Sequence, residues 1–185
     1  MAITPDTKDW TWVLERACPE CGFDSTVVAG REVPRRMREN AEVWVALLRD
    51  DPGVRARPGG DRWSTLEYAC HVRDVFRLFD RRLALMISED NPTFPNWDQD
   101  ATAVADRYGE QDPGVVSSEL AEAAHTLAEA IESLGADAWA RTGTRSDGAG
   151  FTVETFTRYL IHDPIHHLYD VNAGRTHAAG PGGSR

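Results

Sequence analysis

The chain has 185 residues, with 30 Asp and Glu against 20 Lys and Arg and a formal net charge of −10. That length suits one soluble domain around a single core and is short for two full-sized ones. The acidity argues against nucleic acid or an anionic membrane as partner, because both draw on Lys and Arg for counter-charge. The basic residues are Arg throughout except Lys8. The start of the chain has no charged segment leading into an apolar one, and nowhere do about 18 apolar residues run together, which reads as a cytoplasmic protein. Three cysteines, two of them close together, do not make a disulfide framework; reduced thiols or metal ligation suit them better.

In chain order, the first feature is an aromatic N-terminal arm, residues 1–24, in which Trp10, Trp12, Val13 and Leu14 are apolar enough to pack on whatever follows. A bundle is expected over residues 25–175, and a Gly-rich tail over 176–185 is expected to be disordered. The spacing of Met37, Ala41, Val45 and Leu48 predicts a helix from Val33 to Arg49, stopped at Asp50-Asp51-Pro52-Gly53. Ser64-Thr65-Leu66-Glu67 is a capping box opening a second helix, whose buried stripe runs through Leu66, Ala69, Cys70, Val72, Phe76, Phe79 and Leu83. Asp112-Pro113 opens a third, to Leu134 with Gly135 as its stop. Thr152 caps a fourth, with Phe151 against Phe156 as a staple, and it continues to about Asn172.

Four amphipathic segments with almost no strand pattern point to an all-α four-helix bundle with long irregular connections. Residues 89–111, with Trp97 among them, form a link long enough to cover a site, and residues 136–150 form a second.

Half of the six histidines fall within Tyr159-Leu-Ile-His162-Asp-Pro-Ile-His166-His167-Leu-Tyr169-Asp170. On a helix, His162 and His166 share a face about 40° apart, and His167 lies well round the cylinder. Two stacked imidazoles can hold one transition metal, and His71 on the second helix is the best third ligand. A lone histidine on an apolar face is usually a hydrogen-bonded core residue; the added pair shifts the balance to a metal triad of His71, His162 and His166. Pro164 either kinks a continuous helix or, with Asp163, caps a new one; the period kept by Phe156, Leu160 and Leu168 favours the kink. Glu67 and Asp170, one turn from His71 and His166, are the spacing-based candidates to accept the spare ring N–H groups. His125, His167 and His177 read as surface or packing residues. Arg73, Arg77 and Arg158 could anchor a substrate carboxylate, although helix arginines usually sit on solvated faces.

Cys18-Pro-Glu-Cys21-Gly has the spacing of half a zinc knuckle. It reads as a structural turn with reduced or bridged thiols, or as a second metal or redox site, which would need two histidines the triad already uses. No strand precedes it, so the thioredoxin reading fails.

Trp63-Ser64-x-x-Glu67-x-x-x-His71-x-x-Asp74, followed at a distance by His162-x-x-x-His166, resembles the DinB-like (YfiT-like) superfamily, which includes mycothiol-dependent maleylpyruvate isomerases and bacillithiol transferases. The resemblance runs from about Val33 to Asn172 and leaves out the Cys-Pro-Glu-Cys arm. It implies an up-down-down-up bundle holding a divalent metal, zinc or nickel, at positions matching His71, His162 and His166.

Three neutral imidazoles leave open positions on a divalent ion, so bound water becomes a better nucleophile and a thiol displacing it is held as thiolate. The resemblance makes transfer of a low-molecular-weight thiol such as mycothiol to a small electrophile, or a thiol-assisted isomerisation, the leading expectation. A metal-dependent hydrolase and a non-catalytic metal or small-ligand binding protein are the alternatives. A homodimer is compatible with all three.

Overall fold

The fold is that of a computed structural model, which describes residues 9–59 and 62–178, with side chains to residue 174. Among the described residues five α-helices carry it: α1 Val33–Asp50, α2 Thr65–Ser88, α3 Gln99–Ala105, α4 Pro113–Glu132 and α5 Val153–Ala178. The four long ones match the expected segments. Three of the four start where a side chain supplies a partner for the free N–H groups of the first turn, while α1 has no side-chain cap and instead carries Pro34, which has no N–H to satisfy, in its first turn. Ser64 accepts from the Glu67 N–H while Glu67 reaches back to the Ser64 N–H, the reciprocal box read from the spacing. Asp112 accepts from Val115 and is followed by Pro113. Thr152 and Thr155 exchange bonds at the start of α5, where Phe151 and Phe156 lie 5.9 Å apart.

The helices pack so that α4 lies along both α1 and α2, with α5 also against both. Apolar stripes meet in the middle: Met37 and Trp44 from α1, Leu66 and Phe76 from α2, Leu120 and Leu127 from α4, and Phe156 and Leu160 from α5 are all buried. None of the helices, among the described residues, is long and apolar enough to cross a membrane.

One open alternative is settled and two features depart from expectation. The fourth long helix is continuous through Pro164, as the periodicity favoured, and the Pro164 carbonyl accepts from Asn40 Nδ2 of α1 at 3.1 Å. The third ends at Glu132, and Gly135, with φ −67°, enters the next turn in an ordinary conformation and is not a left-handed stop. The two links are less irregular than the residue pattern suggests. They contribute a small sheet in the order β1 Thr93–Phe94, β2 Thr142–Arg145, β3 Gly150–Thr152, with β1 parallel and β3 antiparallel to β2. Such short strands carry no readable period; what makes them is tertiary packing. Gly143 shows this directly, because a Cβ there would stand 2.7 Å from Met86 Cγ and 2.9 Å from the Phe94 ring. The sheet fixes the first link through Ser146, whose N–H donates to Phe94 and whose hydroxyl accepts from Asn96. Trp97 is thereby delivered over α2.

The short helical turns ahead of α1, Thr11–Leu14 in the arm and Ser25–Val27 and Gly30–Glu32 after it, pack on α5. Arg158 Nε donates to the Ser25 carbonyl at 2.7 Å, and Gly30 N–H to Glu154 at 2.7 Å. The expected tail is described only as helical backbone over its first three residues; the rest lies outside the described residues.

Candidate metal centres

The helical register of α5 builds the functional region. His162 and His166 are one turn apart, and so are Asp163 and His167; the second pair is offset from the first by one residue, about 100° round the axis. The two pairs therefore face different neighbours.

The Asp163–His167 pair faces α2. There His71 Nε2 lies 3.4 Å from each oxygen of the Asp163 carboxylate, and His167 Nε2 lies 3.7 Å from it. Donors at a tetrahedral angle on one ion, each about 2.1 Å from it, stand about 3.4 Å apart; the His71–Asp163 contact has that spacing, His167 stands slightly wider, and all three donor atoms lie within 4.8 Å of one another. His167 Nδ1 lies 3.0 Å from Asp170, which fixes the tautomer with Nε2 free to ligate. Burial would raise the Asp163 pKa, but the adjacent His71 and His167 more than reverse it, so the group is a carboxylate throughout the neutral range. Asp170 is lowered likewise, its burial outweighed by the bond to His167. Aromatic rings wall the group: Trp97 stacks on His71 with planes 5° apart and centroids 5.2 Å apart, Trp63 lies 5.4 Å from His71, and Tyr68 lies 4.9 Å from His167. His71 is fully buried, while Asp163 and His167 are half-buried, so the set opens on one side.

The His162–His166 pair faces the arm. Cys18, Cys21, His162 and His166 each offer a ligand atom within 4.8 Å of every other, and Cys18 Sγ is 3.6 Å from His166 Nδ1. Burial pushes the His162 pKa down to about 4, with His166 adding to the effect, and burial lowers His166 as well, so both imidazoles are neutral.

The expected triad of His71, His162 and His166 is thus not one cluster. The structure joins His162 and His166 to Cys18 and Cys21, and it gives His71 to Asp163 and His167. The physical reason is the single-residue offset: a face that points at the arm cannot also point at α2. Glu67 is engaged by Arg57 and Ser64 and does not reach His71. Asp170 lies 3.9 Å from His166 but bonds His167. His167, read as a surface or packing residue, belongs to the donor set with His71 and Asp163. The signal for it was present, since Asp163-x-x-x-His167 has the same one-turn spacing as the two histidines. Cys70 is core, its thiol near the Tyr108 carbonyl and Gln111 and pushed up to about 12 by burial. Arg73 pairs with Asp74 and Glu119, Arg77 with Glu119, and Arg158 with the Ser25 carbonyl, so all three serve the scaffold.

The bundle thus brings a half-open histidine–carboxylate set together between two helices, a donor set that could hold a metal ion. Residues 35–171 match the DinB superfamily, and the chain belongs to that family. Its structure is similar to that of YfiT from Bacillus subtilis, described as a probable metal-dependent hydrolase with an unusual four-helix bundle topology, at a TM-score of 0.62 and 17% identity, over 94% of this chain and 93% of that one. No curated protein matches the chain.

Proposed function

We propose that the chain is a metal-dependent enzyme that uses His71, Asp163 and His167 to hold a divalent ion and act on a small electrophile. The observation that carries this is the three-donor set with ion-sized spacing, open on one side and closed on the other by aromatic rings. Three protein ligands leave a position free, the arrangement of catalytic and not of structural sites. A divalent ion there supplies Lewis-acid chemistry and lowers the pKa of a water or thiol bound to it. The residues do the rest. Asp170 orients His167, Asp163 contributes one negative charge, and Trp97 limits water and gives the electrophile an apolar wall.

Hydrolysis is the leading reading, because the structurally similar YfiT is described in those terms. Transfer of a low-molecular-weight thiol of the mycothiol kind would use the same open position, and it is the reading that the sequence resemblance to the DinB superfamily implies. The up-down-down-up run of the long helices belongs to the same resemblance. The test assays untagged protein against activated esters and amides, and against electrophiles with an added thiol, alongside His71→Ala and His167→Ala variants. Each substitution is expected to lower ion affinity at this site by more than about a hundredfold, beyond the ten- to hundredfold typical of losing an outer partner, and to reduce turnover to background. A thiol requirement selects transfer over hydrolysis. Turnover that survives both substitutions sinks the proposal.

A further inference from the structure

We infer that Cys18, Cys21, His162 and His166 form a second metal site, a closed four-ligand site for zinc that clips the N-terminal arm to α5. It is distinct from the three-donor set and stands whether or not that set is catalytic.

The donors are of the right kind and number. Two thiols and two imidazoles are a full tetrahedral set for zinc, with no position left for water. The spacing agrees as well. A sulfur at about 2.3 Å and a nitrogen at about 2.0–2.1 Å from one tetrahedral ion stand about 3.5–3.6 Å apart, and Cys18 Sγ is 3.6 Å from His166 Nδ1. A thiol–imidazole hydrogen bond has a similar length, but it leaves His162 unexplained. The Nε2 of His162 is buried and has no hydrogen-bond partner among the described residues. An imidazole nitrogen stranded in that way keeps its desolvation cost without a compensating bond, and an ion removes that cost.

The surroundings are built for an ion as well. Cys18 and Gly22 close a tight turn, with Cys18 N–H donating to the Phe23 carbonyl and Gly22 N–H to the Cys18 carbonyl, and Gly22 takes φ +74°, which glycine adopts without strain. The turn brings both sulfurs to one side. His166 Nε2, the nitrogen turned away from Cys18, lies 3.3 Å from the Glu20 carboxylate, the residue between the two cysteines, so a single tetrapeptide supplies two ligands and the outer partner of a third. Trp10 packs on His162 and His166 with centroids 5.4 and 4.9 Å away, and Phe23 covers His162. Charge balance completes the case. Two thiolates and two neutral imidazoles around a divalent cation sum to zero, which a buried cluster tolerates. The two protons leave the thiols to solvent when the ion binds, with no change in oxidation state.

The experiment loads untagged protein with zinc and separately with cobalt, counts ions per chain, and records the cobalt spectrum for wild type, Cys18→Ser/Cys21→Ser and His71→Ala/His167→Ala. The expected result is a thiolate-to-cobalt charge-transfer band that disappears with the cysteines and persists without His71 and His167, together with loss of one ion per chain in the cysteine variant. Should that variant fail to fold, capping the thiols of the wild-type zinc form with a mercurial is expected to release one ion per chain. Absence of the charge-transfer band, or capping that releases no ion, overturns the inference. If only the enzymatic proposal fails, the band and its ion remain while the His71→Ala/His167→Ala variant loses no ion.

Discussion

The two faces of α5 bear ligand pairs of the same spacing and opposite character. One face meets the arm with soft sulfur and imidazole donors, four in number and sealed by Trp10 and Phe23. The other meets α2 with two imidazoles and a carboxylate, three in number and half-open beside Trp97. Ligand count and covering, more than ligand identity, separate a site that holds structure from one that can admit a substrate. One helix can serve both because its register presents two faces within a single turn.

The contrast can be tested most strongly by acid. In metal-stripped protein the His162 pKa is depressed from 6.5 to about 4, so the unfolded chain takes up a proton there before the folded one does. Stability from this group is therefore complete above about pH 6.5 and is lost as pH falls towards 4, a change on the order of 3 kcal/mol. Asp163, whose folded pKa is also depressed, contributes stability above its ordinary value of 3.8 and loses it only below that. The arm face should thus fail at mildly acid pH and the α2 face only in stronger acid. Urea unfolding of stripped protein between pH 7 and 3 reads this; a His162→Asn variant should flatten the upper part of the curve, and an unchanged slope there would break the comparison.

A smaller effect sharpens it. Asp170 bonds His167 at 3.0 Å but stands 3.9 Å from His166. Asp170→Ala should therefore weaken ion binding at the three-donor set by about ten- to a hundredfold and leave the four-donor site nearly unchanged, as competition with a metal indicator would measure. Equal losses at both would mean that the faces are not independent. The smallest effect concerns the scaffold. Ser64→Ala removes the N-cap of α2, the helix that carries His71, and should cost about 1 kcal/mol in chemical denaturation without moving the ion affinity of the arm-facing site.

How far the residue pattern could be read follows the same division. The four long helices were legible because caps and 3.6-residue periods are local, as Ser64–Glu67 and Asp112–Pro113 demonstrate. The sheet was not, since Thr93, Thr144 and Gly150 meet only through tertiary packing. The metal-ligating types were all visible, but their grouping was not. Local spacing places His162 beside His166 and cannot say whether the third partner comes from α2 or from the arm. The aromatic cover of Trp97 was anticipated as a loop over the site, and it stacks on His71.

The one-residue offset between the ligand pairs has a consequence for how this gene can change. Replacing a single residue in 162–167 touches one centre and spares the other. Inserting or deleting a residue at Pro164 or Ile165 turns both pairs at once, moving each partner by about 100° and dismantling the arm clip together with the three-donor set. This short stretch of α5 is open to substitution but closed to changes of length, and within it the two centres can be lost separately only by point mutation.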